Sequence, residues 1–87
     1  MSTPILNKFL GVFDVSIFSD RIKQLKIQKH LLQKDIANEI GVSLRAYQYY
    51  ETDQREPTMS VLIALADYFD VSLDYLVGRT DNPEINR

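Results

Sequence analysis

Apolar residues recur at helical spacing through most of this 87-residue chain, and no stretch alternates apolar and polar residues as a half-buried strand would. The pattern predicts an all-α domain of five helices over residues 18–78. The predicted helices span residues 19–29, 33–40, 44–52 and 59–69, with a short fifth helix after Ser72 that ends at Leu76 or Val77. Residues 1–17 form an N-terminal extension, and residues 79–87 form a polar C-terminal tail that we expect to fray.

Small polar residues stand where the predicted helices begin. Ser43, Thr58 and Ser72 each precede an apolar periodic segment, and a hydroxyl there can accept a hydrogen bond from a free backbone N–H. By the same reasoning, Ser19 is predicted as the N-cap of the first helix. Gly41 ends the second helix, because glycine accepts the left-handed conformation that a sharp turn needs.

Residues 33–52 form two short helices joined by the link Gly41-Val42-Ser43. Ala37 is small where two crossing helices must approach closely, and Val42 is apolar and can pack between them. This arrangement predicts two helices that meet at a steep angle, which is the helix-turn-helix geometry.

The second helix of this motif has an outward face suited to reading DNA. If Tyr47 and Tyr50 point inward, the outward set follows from the helical period. That set is Leu44, Arg45, Gln48, Tyr49 and Thr52.

The first four of these side chains match the chemistry of base edges in the major groove. Arg45 can donate two hydrogen bonds to guanine, and Gln48 can pair with adenine. Leu44 or the ring of Tyr49 can contact a thymine methyl group. We therefore predict that Leu44, Arg45, Gln48 and Tyr49 read bases. Gln33, at the start of the preceding helix, can present its amide and the helix N-terminus to phosphate.

The charge distribution changes the significance of the net charge of −2. Residues 21–55 carry seven basic and four acidic side chains, whereas residues 56–87 carry two basic and six acidic ones. Local potential decides where a phosphate backbone approaches, so the basic middle of the chain is compatible with DNA. Asp67, Asp70 and Asp74 are most simply a solvated face, which would also keep that side away from DNA.

Composition argues against several other classes of protein. The chain has no cysteine and only one histidine, His30, so no thiolate site, disulfide or multi-histidine metal site can be assembled. We find no catalytic set, no phosphate-binding loop and no implied cofactor. No apolar run reaches the roughly 18 residues that span a bilayer. We expect a cytoplasmic protein that is not an enzyme and does not associate with a membrane.

A set of short features follows in one order along the chain: Arg21, Gln33, Ile36-Ala37, Gly41-Val42-Ser43, Glu51, Pro57 and residues 71–76. Together they resemble the phage-repressor and Cro-like helix-turn-helix family, often called the XRE group, over residues 18–78. The chain departs from the family pattern at His30, where glycine or asparagine is usual, and at Leu32, where a serine or threonine cap is usual. Histidine tolerates positive φ better than most residues.

The resemblance implies a five-helix domain that works as a dimer on a two-fold symmetric operator in double-stranded DNA. It also implies an interior ion pair between Arg21 and Glu51 with an architectural role. Gln33 and Arg55 fall at positions that contact the DNA backbone. The full set expected to contact the backbone is Gln33, Lys34, Ser43, Thr52 and Arg55. The expected dimer surface lies on the C-terminal helix and tail at Leu73, Tyr75, Leu76 and Val77, and the N-terminal arm is a further candidate for it.

These features predict sequence-specific DNA binding by a transcriptional regulator, with repression as the expected outcome. The alternative is a protein-interaction module, such as an antitoxin or a partner-binding regulator, because fold alone does not fix function. Its docking surface would be the acidic C-terminal face or the apolar N-terminal segment that contains Phe9 and Phe13.

Overall fold

The structure is a computed structural model that describes residues 15–85 of the chain. Within this range all regular structure is helical, so the predicted all-α, five-helix fold is confirmed. The helices are α1 (Val15–Gln28), α2 (Gln33–Ile40), α3 (Leu44–Glu51), α4 (Met59–Phe69) and α5 (Leu73–Leu76). No described helix combines the length and the apolar character needed to cross a membrane. The N-terminal segment around Phe9 and Phe13 lies outside the described residues.

All five helices contribute side chains to one core. The largest fully buried side chains are Phe18, Ile22, Ile36, Tyr47, Leu65, Phe69 and Leu76. Each such burial stabilises the fold by about 1.5–3 kcal/mol relative to exposure. Two aromatic rings join α1 to α3, because Phe18 meets Tyr50 edge to face with 6.4 Å between ring centroids. The core therefore fixes α3 against the body of the domain by its inward face.

Three of the predicted N-caps are confirmed. The hydroxyls of Ser43, Thr58 and Ser72 each accept a hydrogen bond from the backbone N–H three residues later. A cap of this kind contributes about 1 kcal/mol. Leu32, which precedes α2, makes no side-chain cap hydrogen bond, as its apolar side chain requires. The start of α3, which sets the phase of its outward face, is thus held by Ser43.

The predicted cap at Ser19 is wrong. Helix α1 begins at Val15, so Ser19 lies inside the helix, where it is 2% exposed. Its hydroxyl donates a hydrogen bond to the backbone carbonyl of Tyr50. That carbonyl belongs to the last turn of α3, where carbonyl groups lack partners within their own helix. Ser19 therefore joins α1 to the end of α3.

Each described helix is followed by a residue with positive φ. These residues are His30 (φ 57°), Gly41 (φ 80°), Asp53 (φ 64°), Asp70 (φ 58°) and Gly78 (φ 85°). The expectations that Gly41 would be left-handed and that His30 would tolerate positive φ are both confirmed. The turns between helices are therefore short and sharply defined, and the turn at Gly41 brings α2 and α3 together.

The polar tail is held against the domain as far as residue 85, which corrects the expectation of fraying. The N–H of Ser72 donates to the carbonyl of Pro83 at 2.9 Å. The Arg21 guanidinium on α1 donates to the carbonyl of Thr80. Hydrogen bonds from two helices therefore hold residues that look like a solvated tail in the sequence.

The predicted dimer surface on α5 needs one correction. Leu76 is fully buried within the protomer, so its assignment to an interface between copies is wrong. Helix α5 is only four residues long, and Leu76 is its one buried residue. The ring of Tyr75 is covered by Arg21, whose guanidinium carbon lies 4.1 Å from the ring centroid. Leu73 and Val77 are half-buried against the core and remain predictions as interface residues.

The two left-handed glycines should differ in their tolerance of alanine. A Cβ at Gly78 would lie 2.8 Å from Cγ2 of Ile17, whereas a Cβ at Gly41 would meet no atom within 4 Å. Both changes strain the left-handed backbone, and only Gly78→Ala also forces overpacking. We expect Gly78→Ala to lower the free energy of unfolding by about 2 kcal/mol, with a smaller loss for Gly41→Ala. Urea unfolding of the two variants tests this order, and equal losses would contradict it.

Candidate nucleic-acid interface

The outward face of α3 presents polar and basic groups to solvent. Tyr47 is fully buried and Tyr50 is 5% exposed, which confirms their predicted inward orientation. The predicted outward set follows: Leu44, Arg45, Gln48 and Thr52 are exposed and Tyr49 is half-buried. The structure therefore gives these side chains the phase that base contact needs, and their roles in reading bases remain predictions.

The turn between α2 and α3 places the start of one helix beside the start of the other. The backbone N–H groups of Gly41 and Val42 both donate to the carbonyl of Ala37 at 3.0 Å, so α2 ends sharply. An open cleft of about 430 Å³ runs beside this turn, and its lining includes Lys34, Ser43 and Leu44. One base-reading candidate and two backbone-contact candidates therefore share a single surface.

Two arginines lie close to Tyr49. The Nη1 atom of Arg45 donates to the Tyr49 hydroxyl at 3.3 Å, and the Arg55 guanidinium carbon lies 4.9 Å from the ring centroid. A guanidinium over an aromatic face is attracted by the ring quadrupole. Arg55 belongs to the loop after α3, and this contact brings it to the outward face. Two positive charges thus lie on the outward face of α3 around Tyr49.

A hydrogen bond between two glutamine side chains connects α2 to α3. The Nε2 atom of Gln48 donates to Oε1 of Gln33 at 3.2 Å. At the end of α3, the Thr52 hydroxyl donates to the Gln48 carbonyl at 2.9 Å and accepts from Nε2 of Gln54 at 2.8 Å. Sequence reasoning missed Gln54, because a glutamine in a polar loop carries no periodic signal. Gln54 extends the polar surface beyond the end of α3.

The predicted ion pair between Arg21 and Glu51 is wrong. Glu51 is 4% exposed, and its Oε1 accepts from Nζ of Lys26 at 3.0 Å and from Nε2 of Gln33 at 2.9 Å. Arg21 instead pairs with Asp81, with 2.8 Å between Nη2 and Oδ1. Residues five apart on an α-helix are rotated by about 140°, so Arg21 and Lys26 face different sides of α1. The interior ion pair of this domain is therefore Lys26–Glu51.

Tyr47 and Glu51 lie one helical turn apart on the inward side of α3. The Tyr47 hydroxyl and Oε2 of Glu51 are both buried, and neither makes a well-formed hydrogen bond within residues 15–85. Burial raises the pKa of the Tyr47 phenol, and the neighbouring Glu51 carboxylate raises that pKa further. The phenol therefore keeps its proton in the folded protein at pH values where an exposed tyrosine loses it.

This raised pKa predicts a loss of stability in alkali. An unfolded tyrosine ionises near pH 10, and the folded phenol holds its proton to higher pH. Folding then binds a proton, so the free energy of unfolding falls as pH rises above about 10. Tyr47→Phe should reduce this fall. Urea unfolding of both proteins at about pH 8 and about pH 11 gives the difference, and equal falls would contradict the prediction.

Comparisons with known proteins agree with this geometry. A family model described as helix-turn-helix matches residues 22–76. A solved structure of a transcriptional regulator from Listeria innocua superposes with a TM-score of 0.67 and 36% identity, covering 70% of this chain and 57% of that one.

Relatives with curated names are bacterial and phage regulators. The uncharacterized HTH-type transcriptional regulators YqaE and YobD of Bacillus subtilis are 38% and 34% identical over 69 and 68 residues, or 79% and 78% of this chain. The cryptic phage CTXphi transcriptional repressor RstR of Vibrio cholerae is 45% identical over 47 residues, covering 54% of this chain and 42% of RstR. The chain spans 60% of the length of YqaE and 61% of that of YobD.

Proposed function

This chain belongs to the helix-turn-helix family, and on that premise we propose that it binds double-stranded DNA sequence-specifically as a transcriptional regulator, acting as a repressor. The observation that carries the proposal is the outward face of α3, where Arg45 and Gln48 stand exposed beside Tyr49. Helix-turn-helix proteins place this second helix of the motif in the major groove. Such a regulator acts on DNA in the cytoplasm.

Sequence preference would come from four side chains of α3. Arg45 has the two parallel donors that match guanine O6 and N7, and Gln48 has the donor and acceptor that match adenine. The exposed Leu44 side chain and the Tyr49 ring supply apolar surface for thymine methyl groups. Each bidentate pair contributes about 1–3 kcal/mol of discrimination against the wrong base.

Affinity would come from contacts with phosphates along both edges of α3. Lys34 and Ser43 border the cleft beside the turn, while Thr52 and Arg55 lie at the other end of the helix. Gln33 stands at the start of α2, where free N–H groups favour an anion. These contacts carry little sequence information, and they orient α3 so that base edges come within reach.

Dimerisation is part of the proposal. One motif of this size touches few base pairs, and a two-fold symmetric dimer doubles the contacts, with its recognition helices about 34 Å apart. Leu73, the first residue of α5, and Val77, which follows its last residue, are predicted contact residues that are half-buried within the protomer. The relatives' names say regulator or repressor, which supports the regulatory role.

Selection of bound sequences from a random duplex pool at two salt concentrations tests the proposal. We expect enrichment of a two-fold symmetric motif, with affinity that falls steeply as salt rises because counterions are released from the phosphates. The same pool carried through without protein is the control. An unenriched pool, or binding that ignores sequence, would overturn sequence-specific DNA binding.

The alternative hypothesis is that the domain is a protein-interaction module, and the comparisons do not favour it. The named relatives are transcriptional regulators and repressors. Of the two docking surfaces that such a module could use, the acidic C-terminal face and the apolar segment around Phe9 and Phe13, the second lies outside the described residues.

A further inference from the structure

We propose that buried Glu51 acts through Gln33 to fix the orientation of the Gln48 amide, and that this relay makes the protein select adenine over guanine at one base pair of its site. The inference rests on the proposed function and deepens it. Glu51 and Gln33 are positioning residues here, and Gln48 is the residue that touches the base.

The relay begins at a carboxylate that can only accept hydrogen bonds. The side chain of Glu51 is 5% exposed, and its Oε1 accepts from Lys26 at 3.0 Å. A carboxylate in an ion pair with an ammonium group has no proton to donate. Any amide next to this oxygen must therefore turn its NH₂ end toward it.

Gln33 is the amide in that position. Its Nε2 donates to Oε1 of Glu51 at 2.9 Å. The reverse orientation would put the carbonyl oxygen of Gln33 against the carboxylate oxygen, with a donor lost and two partial negative charges opposed. The orientation of this amide follows from the hydrogen-bond network, as amide assignments must. Oε1 of Gln33 consequently faces away from Glu51, toward the outward side chain of Gln48.

The Gln33 oxygen then engages one N–H of Gln48. The distance between Nε2 of Gln48 and Oε1 of Gln33 is 3.2 Å. One N–H and the carbonyl oxygen of Gln48 remain for a base. This donor and acceptor pair matches N7 and the N6 amino group of adenine. Guanine presents two acceptors, O6 and N7, so it would need both N–H groups of Gln48. Holding one of them on Gln33 therefore favours adenine.

The test compares binding to two duplexes that differ at one base pair. The base pair to be varied is identified with Gln48→Ala: it is the position of the selected motif at which this variant no longer prefers the base that the wild-type protein selects. The wild-type protein should bind the A·T duplex about tenfold more tightly than the G·C duplex. Gln33→Met removes the hydrogen bonds of the Gln33 amide and leaves the Lys26–Glu51 pair in place. The ratio of the A·T affinity to the G·C affinity should then fall to about threefold or less. Glu51→Gln removes the carboxylate that fixes the orientation of the Gln33 amide, so it should also lower the ratio of the A·T affinity to the G·C affinity.

Lys34→Met is the matched control, because Lys34 is the next residue of α2 and a predicted backbone contact. Loss of a backbone contact, or a smaller folded fraction, weakens binding to both duplexes equally and leaves the ratio unchanged. A wild-type ratio in Gln33→Met would overturn the relay while DNA binding stands. The relay would also be overturned if Lys34→Met lost the ratio as well. The same conclusion would follow if Gln48→Ala left every position of the selected motif unchanged. The absence of any motif for the wild-type protein would overturn both proposals.

The coupling between the two amides gives a second readout. If Gln33 acts on the ratio only through Gln48, the double variant Gln33→Met/Gln48→Ala should have the same ratio as Gln48→Ala alone. A further loss of discrimination in the double variant would mean that Gln33 affects the base by another route, and it would contradict the relay.

Discussion

Replacement of Lys26 by methionine should lower the free energy of unfolding by about 3 kcal/mol, the effect of leaving a buried charge without its partner. The side chain of Lys26 is 20% exposed and that of Glu51 is 5% exposed, so water can compensate the carboxylate only slightly. Methionine keeps most of the aliphatic stem and removes the ammonium group. For a domain of this size, the loss corresponds to a fall in Tm of roughly 15 °C.

Lys23→Met is the matched control for this prediction. Lys23 lies on the same helix, and its ion pair with Asp20 is longer, at 3.7 Å, and solvent-exposed. Exposed pairs contribute little, so this variant should unfold at nearly the wild-type urea concentration. The double variant Lys26→Met/Glu51→Met should be more stable than Lys26→Met alone, because no unpaired charge stays buried. Equal stabilities for Lys26→Met and Lys23→Met would show that the interior pair has no special role.

Loss of Arg45 and Gln48 together should reduce affinity for the selected DNA site about 100-fold. Each side chain is assigned one bidentate base contact, and two contacts of about 1.4 kcal/mol each give this factor. Affinity for DNA of unrelated sequence should fall much less, because that binding depends on the phosphates. The double variant Arg45→Ala/Gln48→Ala should therefore bind the site and unrelated DNA with more similar affinities.

Equilibrium titration of labelled duplexes measures both affinities. The control is the double variant Gln24→Ala/Arg79→Ala, which removes the same two residue types from exposed positions on α1 and after α5. It should keep the full preference for the site. If the α3 variant retains that preference, the outward face of α3 is not the surface that reads DNA.

Features that depend on neighbours in the sequence could be predicted from it. Ser43, Thr58 and Ser72 were identifiable as caps because a hydroxyl and the N–H three residues later are always close at a helix start. Gly41 was identifiable because few other residues accept its backbone conformation. The phase of α3 followed from the same local geometry, since Tyr47 fixes which residues face outward.

Features that depend on distant partners could not be predicted in this way. The hydroxyl of Ser19 bonds to a carbonyl on α3, and a serine before an apolar run looks the same whether it caps a helix or lies inside one. The family resemblance pairs Arg21 with the wrong acid, because its partner, Asp81, lies 60 residues away in a segment that looks like a free tail in the sequence. An apolar residue on a short helix suits a core and a docking surface equally, so the sequence alone does not show that Leu76 is buried in the core.

The sequence carries no local signal that separates Lys26 from Arg21 as the basic partner of the interior ion pair. Lys26 follows the fully buried Ile22 by four residues, and Arg21 follows the fully buried Phe18 by three, so each lies one turn beyond a core residue of α1. The choice between them depends on where Glu51 lies in the folded domain, and that is a contact between distant residues.

The left-handed residues after the helices have a consequence for how this protein can evolve. His30 and Asp53 each hold a conformation that costs an L-residue roughly 1 kcal/mol and costs glycine far less. A population living at higher temperature could therefore gain stability through single codon changes at these turns. Neither change would alter a side chain that we propose to read bases, so thermal adaptation and the proposed operator recognition can evolve independently in this domain.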